Sequence, residues 1–199
     1  HLGYHGALGL SQVDYKITDR YADTPATARW QLEALLPIDT CVLPMRHVTP
    51  LPDAGLTRAA LGLPQDAIVF GAFVGVLKLS QRCVSVWRRV LDAIPGSMLA
   101  FSPLRDEDRR AIERRLGGFG IAASRLAFIP YRRGDEAYNR ARYALIDVAL
   151  DTMPYTGGDT TAAALDGGVP VVTRVGGRHA ERMGYSILMH LGLTQSIAQ

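Results

Sequence analysis

The sequence predicts an α/β protein built on a Rossmann-like, mostly parallel sheet with helices on both faces. Three observations carry that expectation. From about residue 56 onward, short apolar runs of strand length alternate with helix-length amphipathic text. Between Asp147 and His190 a buried strand twice hands the chain through glycines to a helix start, in DVALDTMPYTGGDTT and in VPVVTRVGGRH. The 199 residues are 48% hydrophobic and 21% charged, enough apolar material for a sheet buried on both faces.

Taken in order, the text VDYKITD alternates as a short strand. The stretch from Asp23 to Pro25 leads into a helix over 26–35, with proline near the first helical position. CVLPM reads as a strand ended by Pro44. HVTPLPDAG, with two prolines and a glycine, is the most linker-like text, so a boundary falls near residue 50. Two units are expected, 1–49 and 50–199. In the second, a short helix over 56–61 stops at Gly62-Leu63-Pro64, and IVFGAFVG is a buried strand. Ser80 caps a helix over 82–94 whose Val84, Trp87, Val90 and Leu91 share one face. Then come the strand MLAFS, a charged helix over 106–116 and a strand over 126–129. A helix over 137–143, the strand 148–150, a helix over 160–165, the strand 169–173 and a last helix complete the pattern. The chain begins at His1 and breaks off in pattern at Gln199, as expected of a piece of a longer polypeptide.

Composition excludes several classes. The net charge of +3 comes from scattered basic residues, with no basic stripe carrying interleaved aromatics, so no nucleic-acid partner is expected. No apolar run approaches the roughly 20 residues of a membrane span. Cys41 and Cys83 sit in apolar text and read as buried free thiols, which fits a cytoplasmic protein. With neither CxxC nor HExxH, and with dispersed histidines, no metal site is expected.

In parallel sheets ligands bind outside the carboxyl ends of the strands. Lys78 follows a buried strand there, as a point charge for a diphosphate or as a solvated loop lysine. Gly157, Gly158, Asp159, Thr160 and Thr161 open a helix, either on a phosphate or with Asp159 or Thr160 as an ordinary cap. The run is neither GxGxxG with a downstream acid nor a P-loop. Arg142 faces this pocket or solvent. Gly177 and His179 stand at the second glycine turn, as site or cap-region residues. Asp151 ends its strand on the pocket side. No Ser–His–Asp set or carboxylate pair can be assembled, so no catalytic residue is named.

Several stretches resemble one family. LGYHGALGLSQVDYKITD, FVGVLKLSQRCVSVWRRVLDAIPGSMLAFSP and LDTMPYTGGDTTAAALDGGVPVVTRVGGRHAERMGYSILMHLGL are similar, in collinear order, to segments of the O-linked N-acetylglucosamine transferases, the Spindly-like glycosyltransferases. The resemblance is to their bacterial, tetratricopeptide-linked branch. It implies a GT-B architecture, with 1–49 the end of the N-terminal lobe and 50–199 an incomplete, nucleotide-sugar-binding C-terminal lobe.

The resemblance also implies an inverting, metal-independent transfer of N-acetylglucosamine from UDP-N-acetylglucosamine to Ser/Thr hydroxyls of a protein or peptide. The UDP-sugar is then a donor substrate, with no cofactor. Lys78 falls on the family lysine facing the diphosphate, Asp159 to Thr161 on its phosphate-holding turn, and Arg142 on an arginine near the nucleotide. Ala163 departs from a family Asp or Glu for the ribose hydroxyls, and Gly75 from a Gln. The family's proposed catalytic histidines lie ahead of residue 1, and His5 is not promoted in their place. Ala163 keeps open a scaffold module without catalysis, and a relative using another sugar or acceptor, such as glucose onto Asn, stays open as well. Residues 1–45 should bury poorly without the rest of their lobe, so where that lobe is missing limited proteolysis should trim them first. A first cut within 150–180 would contradict that.

Overall fold

The structure, a computed structural model, describes residues 6–45 and 55–198. Two parallel sheets form. The smaller pairs β1 (Tyr15–Asp19) with β2 (Ala34–Ile38), joined through the one-turn helix α1 (Pro25–Ala28). The larger is built from β3 (Val69–Ala72), β4 (Met98–Phe101), β5 (Leu126–Phe128), β6 (Val148–Leu150), β7 (Val171–Arg174) and β8 (Ile197–Ala198). Its order is β5-β4-β3-β6-β7-β8, with every pairing parallel. The chain runs outward from β3 to β5, then returns to the far side of β3 to lay down β6. The strand order therefore reverses between β3 and β6, and the crevice above their carboxyl ends is where such sheets take ligands.

Alternate side chains of the strands feed two cores. Phe70, Ala72, Leu99 and Phe101 meet Cys83, Val84, Trp87 and Leu91 of α2 (Gln81–Ala93), with Ile112 and Leu116 of α3 (Asp106–Gly117). On the other face Val69, Ala100 and Val171 meet Tyr143 and Leu145, which follow α4 (Glu136–Ala141), and Ala164 of α5 (Asp159–Asp166). The helix α6 (Met183–His190) follows β7 and buries Met183, Ile187 and Leu188. Buried Cys83 keeps its thiol protonated, its pKa pushed up to about 12 by burial. At the amino ends of the strands, Asp147 accepts from the Val69 amide at 2.7 Å and pairs with Arg58 at 2.7 Å. Asp147 therefore braces the sheet edge away from the crevice.

The early segment departs from its sequence reading. The helix expected over 26–35 is a single turn, and 34–38 is strand. Glu33 turns inward, where its Oε1 accepts from the amides of Leu8 (2.7 Å) and Gly9 (3.1 Å), and the apolar run after it pairs with β1. CVLPM is no strand, because the Val42 amide donates to Asp19 Oδ2 at 2.8 Å rather than to a neighbouring backbone. The expected helix over 56–61 is a 3-10 turn at Ala59–Leu61. His5 and most of the linker-like stretch lie outside the described residues.

Gly71 lies where β3 passes Ile146, and a Cβ there would collide with the Ile146 Cδ1. Gly71→Ala is expected to destabilise the fold by about 1–3 kcal/mol, as overpacked cores do. The control Gly75→Ala, at φ −70° in open space, should leave it unchanged. Urea unfolding compares them; equal midpoints would contradict the close approach.

Candidate functional site

The crevice at the β3/β6 reversal receives two turns. After β3 the chain passes Phe73 and a 3-10 turn, Val76–Lys78, before Ser80 caps α2 by accepting from the Cys83 amide. The Ser80 hydroxyl also donates to the Met153 carbonyl in the turn after β6. One side chain thus fixes a helix start and binds the two turns together.

Lys78 reaches across the same gap. Its Nζ donates to the Thr156 carbonyl at 3.3 Å and lies 4.4 Å from the centroid of the Tyr155 ring. Partial burial lowers its pKa, while the nearby charges of Asp151 and Asp159 favour the ammonium. A carbonyl and a ring face are neutral partners. Neither neutralises the charge, so an anionic group brought to the crevice would bind the ammonium more strongly than either.

The turn after β6 is held by Asp151. Its Oδ1 accepts from the amides of Gly157 (2.6 Å) and Thr152 (2.8 Å), and its Oδ2 from the Thr173 hydroxyl (2.7 Å). Burial raises this carboxyl to about 6, against those hydrogen bonds and the Lys78 charge, which favour ionisation. A Cβ on Gly157 would stand 2.6 Å from Thr160 Oγ1 and 2.8 Å from Thr161 Oγ1, so only glycine lets the turn close against the helix.

Gly158 then occupies the N-cap of α5, and no side chain caps it. The capping role open to Asp159 or Thr160 is therefore not taken; Asp159 is exposed. By contrast α2 and α4 are capped by Ser80 and Asp135. First-turn amides have no acceptor inside their own helix, and the helix dipole adds positive potential. Here that potential lies beside the Lys78 ammonium.

Arg142 is buried at the same carboxyl edge. Its Nη1 donates to the Ser102 hydroxyl at 2.6 Å, and the guanidinium packs 4.9 Å from the Phe73 ring and 5.0 Å from the Tyr131 ring. Its Nε has no hydrogen-bond partner among the described residues, and burial lowers its pKa. The neighbouring Tyr143 hydroxyl lies 3.5 Å from the Thr160 carbonyl. Phe73, Tyr143, Thr160, Thr161 and Asp151 share one cavity of about 20 Å³. The structure therefore brings Lys78, Arg142 and Gly157 to Thr161 to one edge.

Gly177 and His179 are engaged differently. The Gly177 amide donates to Glu181 Oε2 at 2.8 Å. His179 is buried, its Nδ1 2.6 Å from Asp23 Oδ2 across 156 residues of chain. This second turn still abuts the first, since the Thr156 amide and hydroxyl both donate to the Ala180 carbonyl. The sequence reading placed Tyr155 and Thr156 in a turn, 155–161, at the carboxyl edge and Asp23 before a helix, but missed what each of the three does. Their roles depend on contacts between distant segments, which no local pattern shows.

Two buried carboxyls give the stability a pH dependence of opposite signs. Burial alone would raise Asp23, but hydrogen bonds from His179, Thr18 and Thr27 and the His179 charge hold it at about 2. Its contribution, about 2 kcal/mol, is present above its unfolded value near 4 and lost as pH falls towards 2. Asp151, raised to about 6, favours the folded state while protonated, and that contribution is lost as pH rises through 6. From these two carboxyls, urea unfolding across pH 2–8 is expected to show stability rising from pH 2 to a maximum near pH 4 and falling between about pH 4 and 6. Asp23→Asn should flatten the acid limb; an unchanged acid limb would contradict the His179 pairing.

Comparison with known proteins gives the family and the fold. The family model for glycosyl transferase family 41 matches residues 53–199. A probable UDP-N-acetylglucosamine–peptide N-acetylglucosaminyltransferase, SPINDLY of Arabidopsis thaliana, is 35% identical over 201 aligned positions, covering 100% of this chain and 22% of that protein. The protein SEC of the same plant, given the same probable activity, is 25% identical across 97% of this chain and 20% of its own length. The chain thus spans about a fifth of the curated relatives it matches. Among solved structures, a lysine-to-methionine mutant of the O-GlcNAc transferase of Thermobaculum terrenum superposes with a TM-score of 0.81 at 27% identity, over 100% of this chain and 37% of that one. Sucrose-phosphate synthase of Thermosynechococcus elongatus, at 18% identity and a TM-score of 0.51 over 92% of this chain and 50% of its own, shares the fold alone. These neighbours are GT-B glycosyltransferases, and the chain belongs to glycosyl transferase family 41.

Proposed function

We propose that this chain is the donor-binding part of a glycosyltransferase that moves N-acetylglucosamine from UDP-N-acetylglucosamine to Ser/Thr hydroxyls of a protein or peptide. The observation that carries the proposal is the uncapped glycine start of α5 beside the Lys78 ammonium, at the reversal of strand order. In this reading residues 1–49 end the N-terminal lobe and 50–199 form most of the C-terminal one. The amides of α5 and the hydroxyls of Thr160 and Thr161 take the diphosphate, Lys78 neutralises it, and Arg142 lies by the nucleotide. Gly177 and His179 line the adjacent turn.

The chemistry follows from where charge develops. As the sugar leaves, negative charge grows on the departing nucleoside diphosphate. A fixed ammonium and preorganised amides stabilise it without a metal. Attack by the acceptor hydroxyl from the opposite face of the sugar gives inversion. The chain supplies donor binding and leaving-group stabilisation, and the acceptor's proton is taken by a group outside these residues. Free Cys41 and Cys83, and the lack of any helix among the described residues long and apolar enough to cross a membrane, support a cytoplasmic setting.

A second reading, a nucleotide-sugar-binding or scaffold module without turnover, is favoured by Ala163. This half-buried residue of α5 packs on the core and offers nothing to a ribose hydroxyl. Calorimetric titration with UDP tests the seat. Lys78→Ala is expected to weaken binding by about 10–100-fold, the weight of a charge-assisted contact. Binding unaffected by Lys78→Ala would remove the central support. Turnover of UDP-N-acetylglucosamine onto peptide by the full-length protein then separates transferase from scaffold.

A further inference from the structure

Asp19, Cys41 and His190, none of them used by the donor seat, converge on one another. One ligating atom from each lies within 4.8 Å of the other two. Asp19 ends β1, Cys41 lies in the loop after β2, and His190 ends α6.

The chemistry of each group suits a cation. His190 Nδ1 lies 2.9 Å from the Ser186 carbonyl. A carbonyl only accepts, so Nδ1 carries the hydrogen and the lone pair is on Nε2. That nitrogen is buried with no hydrogen-bond partner among the described residues. A backbone carbonyl on one imidazole nitrogen and a metal on the other is the usual arrangement of ligating histidine.

Asp19 is fully buried, and no lysine or arginine among the described residues makes an ion pair with it. The amides of Tyr21 and Ala22 hold its Oδ1 and the amide of Val42 its Oδ2, while the Ser186 hydroxyl lies 2.8 and 2.7 Å from the two oxygens. Those amides orient the carboxylate, and the hydroxyl is the group that can rotate away. The Cys41 thiol lies 3.7 Å from the Leu43 carbonyl and also meets the Ser186 side chain, and without a cation beside it burial and the Asp19 charge raise its pKa.

We propose that Asp19, Cys41 and His190 bind a zinc ion that ties the end of β1 and the loop after β2 to α6. Sulfur, imidazole nitrogen and carboxylate oxygen form a borderline-soft donor set that zinc accepts, while calcium and magnesium require oxygen throughout. Three protein ligands leave a fourth tetrahedral position. On binding, the Cys41 S–H bond breaks, its electron pair goes to the metal and its proton to solvent, so uptake strengthens as pH rises. The ion clamps the 15–45 segment to the helix that follows the second glycine turn; it takes no part in sugar transfer.

The test uses the full chain, stripped with chelator and desalted. Zinc titrated against a chromophoric chelator is expected to bind with one equivalent held tightly, and Cys41→Ser and His190→Ala are expected to lose that equivalent. Cobalt in place of zinc should give the wild-type protein a sulfur-to-metal charge-transfer band, a signature independent of whether either variant folds. Absence of a tight equivalent, zinc held equally by Cys41→Ser, or a cobalt spectrum without that band would overturn the proposal.

Discussion

Asp151 is the residue on which the arrangement at the crevice depends. Two amides of its own turn and a hydroxyl from β7 converge on one carboxyl group at the end of β6. Burying a carboxylate is costly, and these donors offset part of that cost, the remainder appearing as the raised pKa. Because Asp151 takes the Gly157 amide, the backbone is fixed one residue ahead of the N-cap of α5, and the helix starts without a side-chain cap. Gly184 permits the arrangement from behind, since a Cβ there would strike both Asp151 Oδ2 and Thr173 Oγ1. A carboxylate that orders the seat is therefore buried beneath it, while the rim carries cations, amides and the exposed Asp159.

The electrostatics follow from that geometry. Lys78 and Arg142 are partly withdrawn from water and rest on carbonyl, hydroxyl and aromatic partners rather than carboxylates. Cations held this way keep most of their charge available to a ligand, and low local polarity strengthens any anion they meet. The arrangement matches a diphosphate in charge and carries no acceptor specificity.

What the sequence made legible tracks how local each signal was. The strand Val148–Leu150, the Ser80 cap and the alternation of strands with helices rest on neighbouring residues, and they came through nearly unchanged. Lys78, read as following directly on a buried strand, instead ends a 3-10 turn six residues beyond β3. Residues 26–45 were misread because side chains from far along the chain decide their backbone. Glu33 turns in to the glycine loop, and Asp19 takes the Val42 amide that a strand would have used. The Asp23–His179 pair and the Asp19, Cys41 and His190 cluster join opposite ends of the chain, so dispersed histidines gave no local sign of either.

The most direct test of the donor seat is to follow the backbone amides of isotopically labelled protein by NMR while UDP is added. The account predicts that the amides of Gly158, Asp159, Thr160 and Thr161 shift together, along with the Lys78 side chain, as one saturable process. Saturating UDP that leaves those signals in place, or moves only signals distant from the β3/β6 crevice, would contradict it.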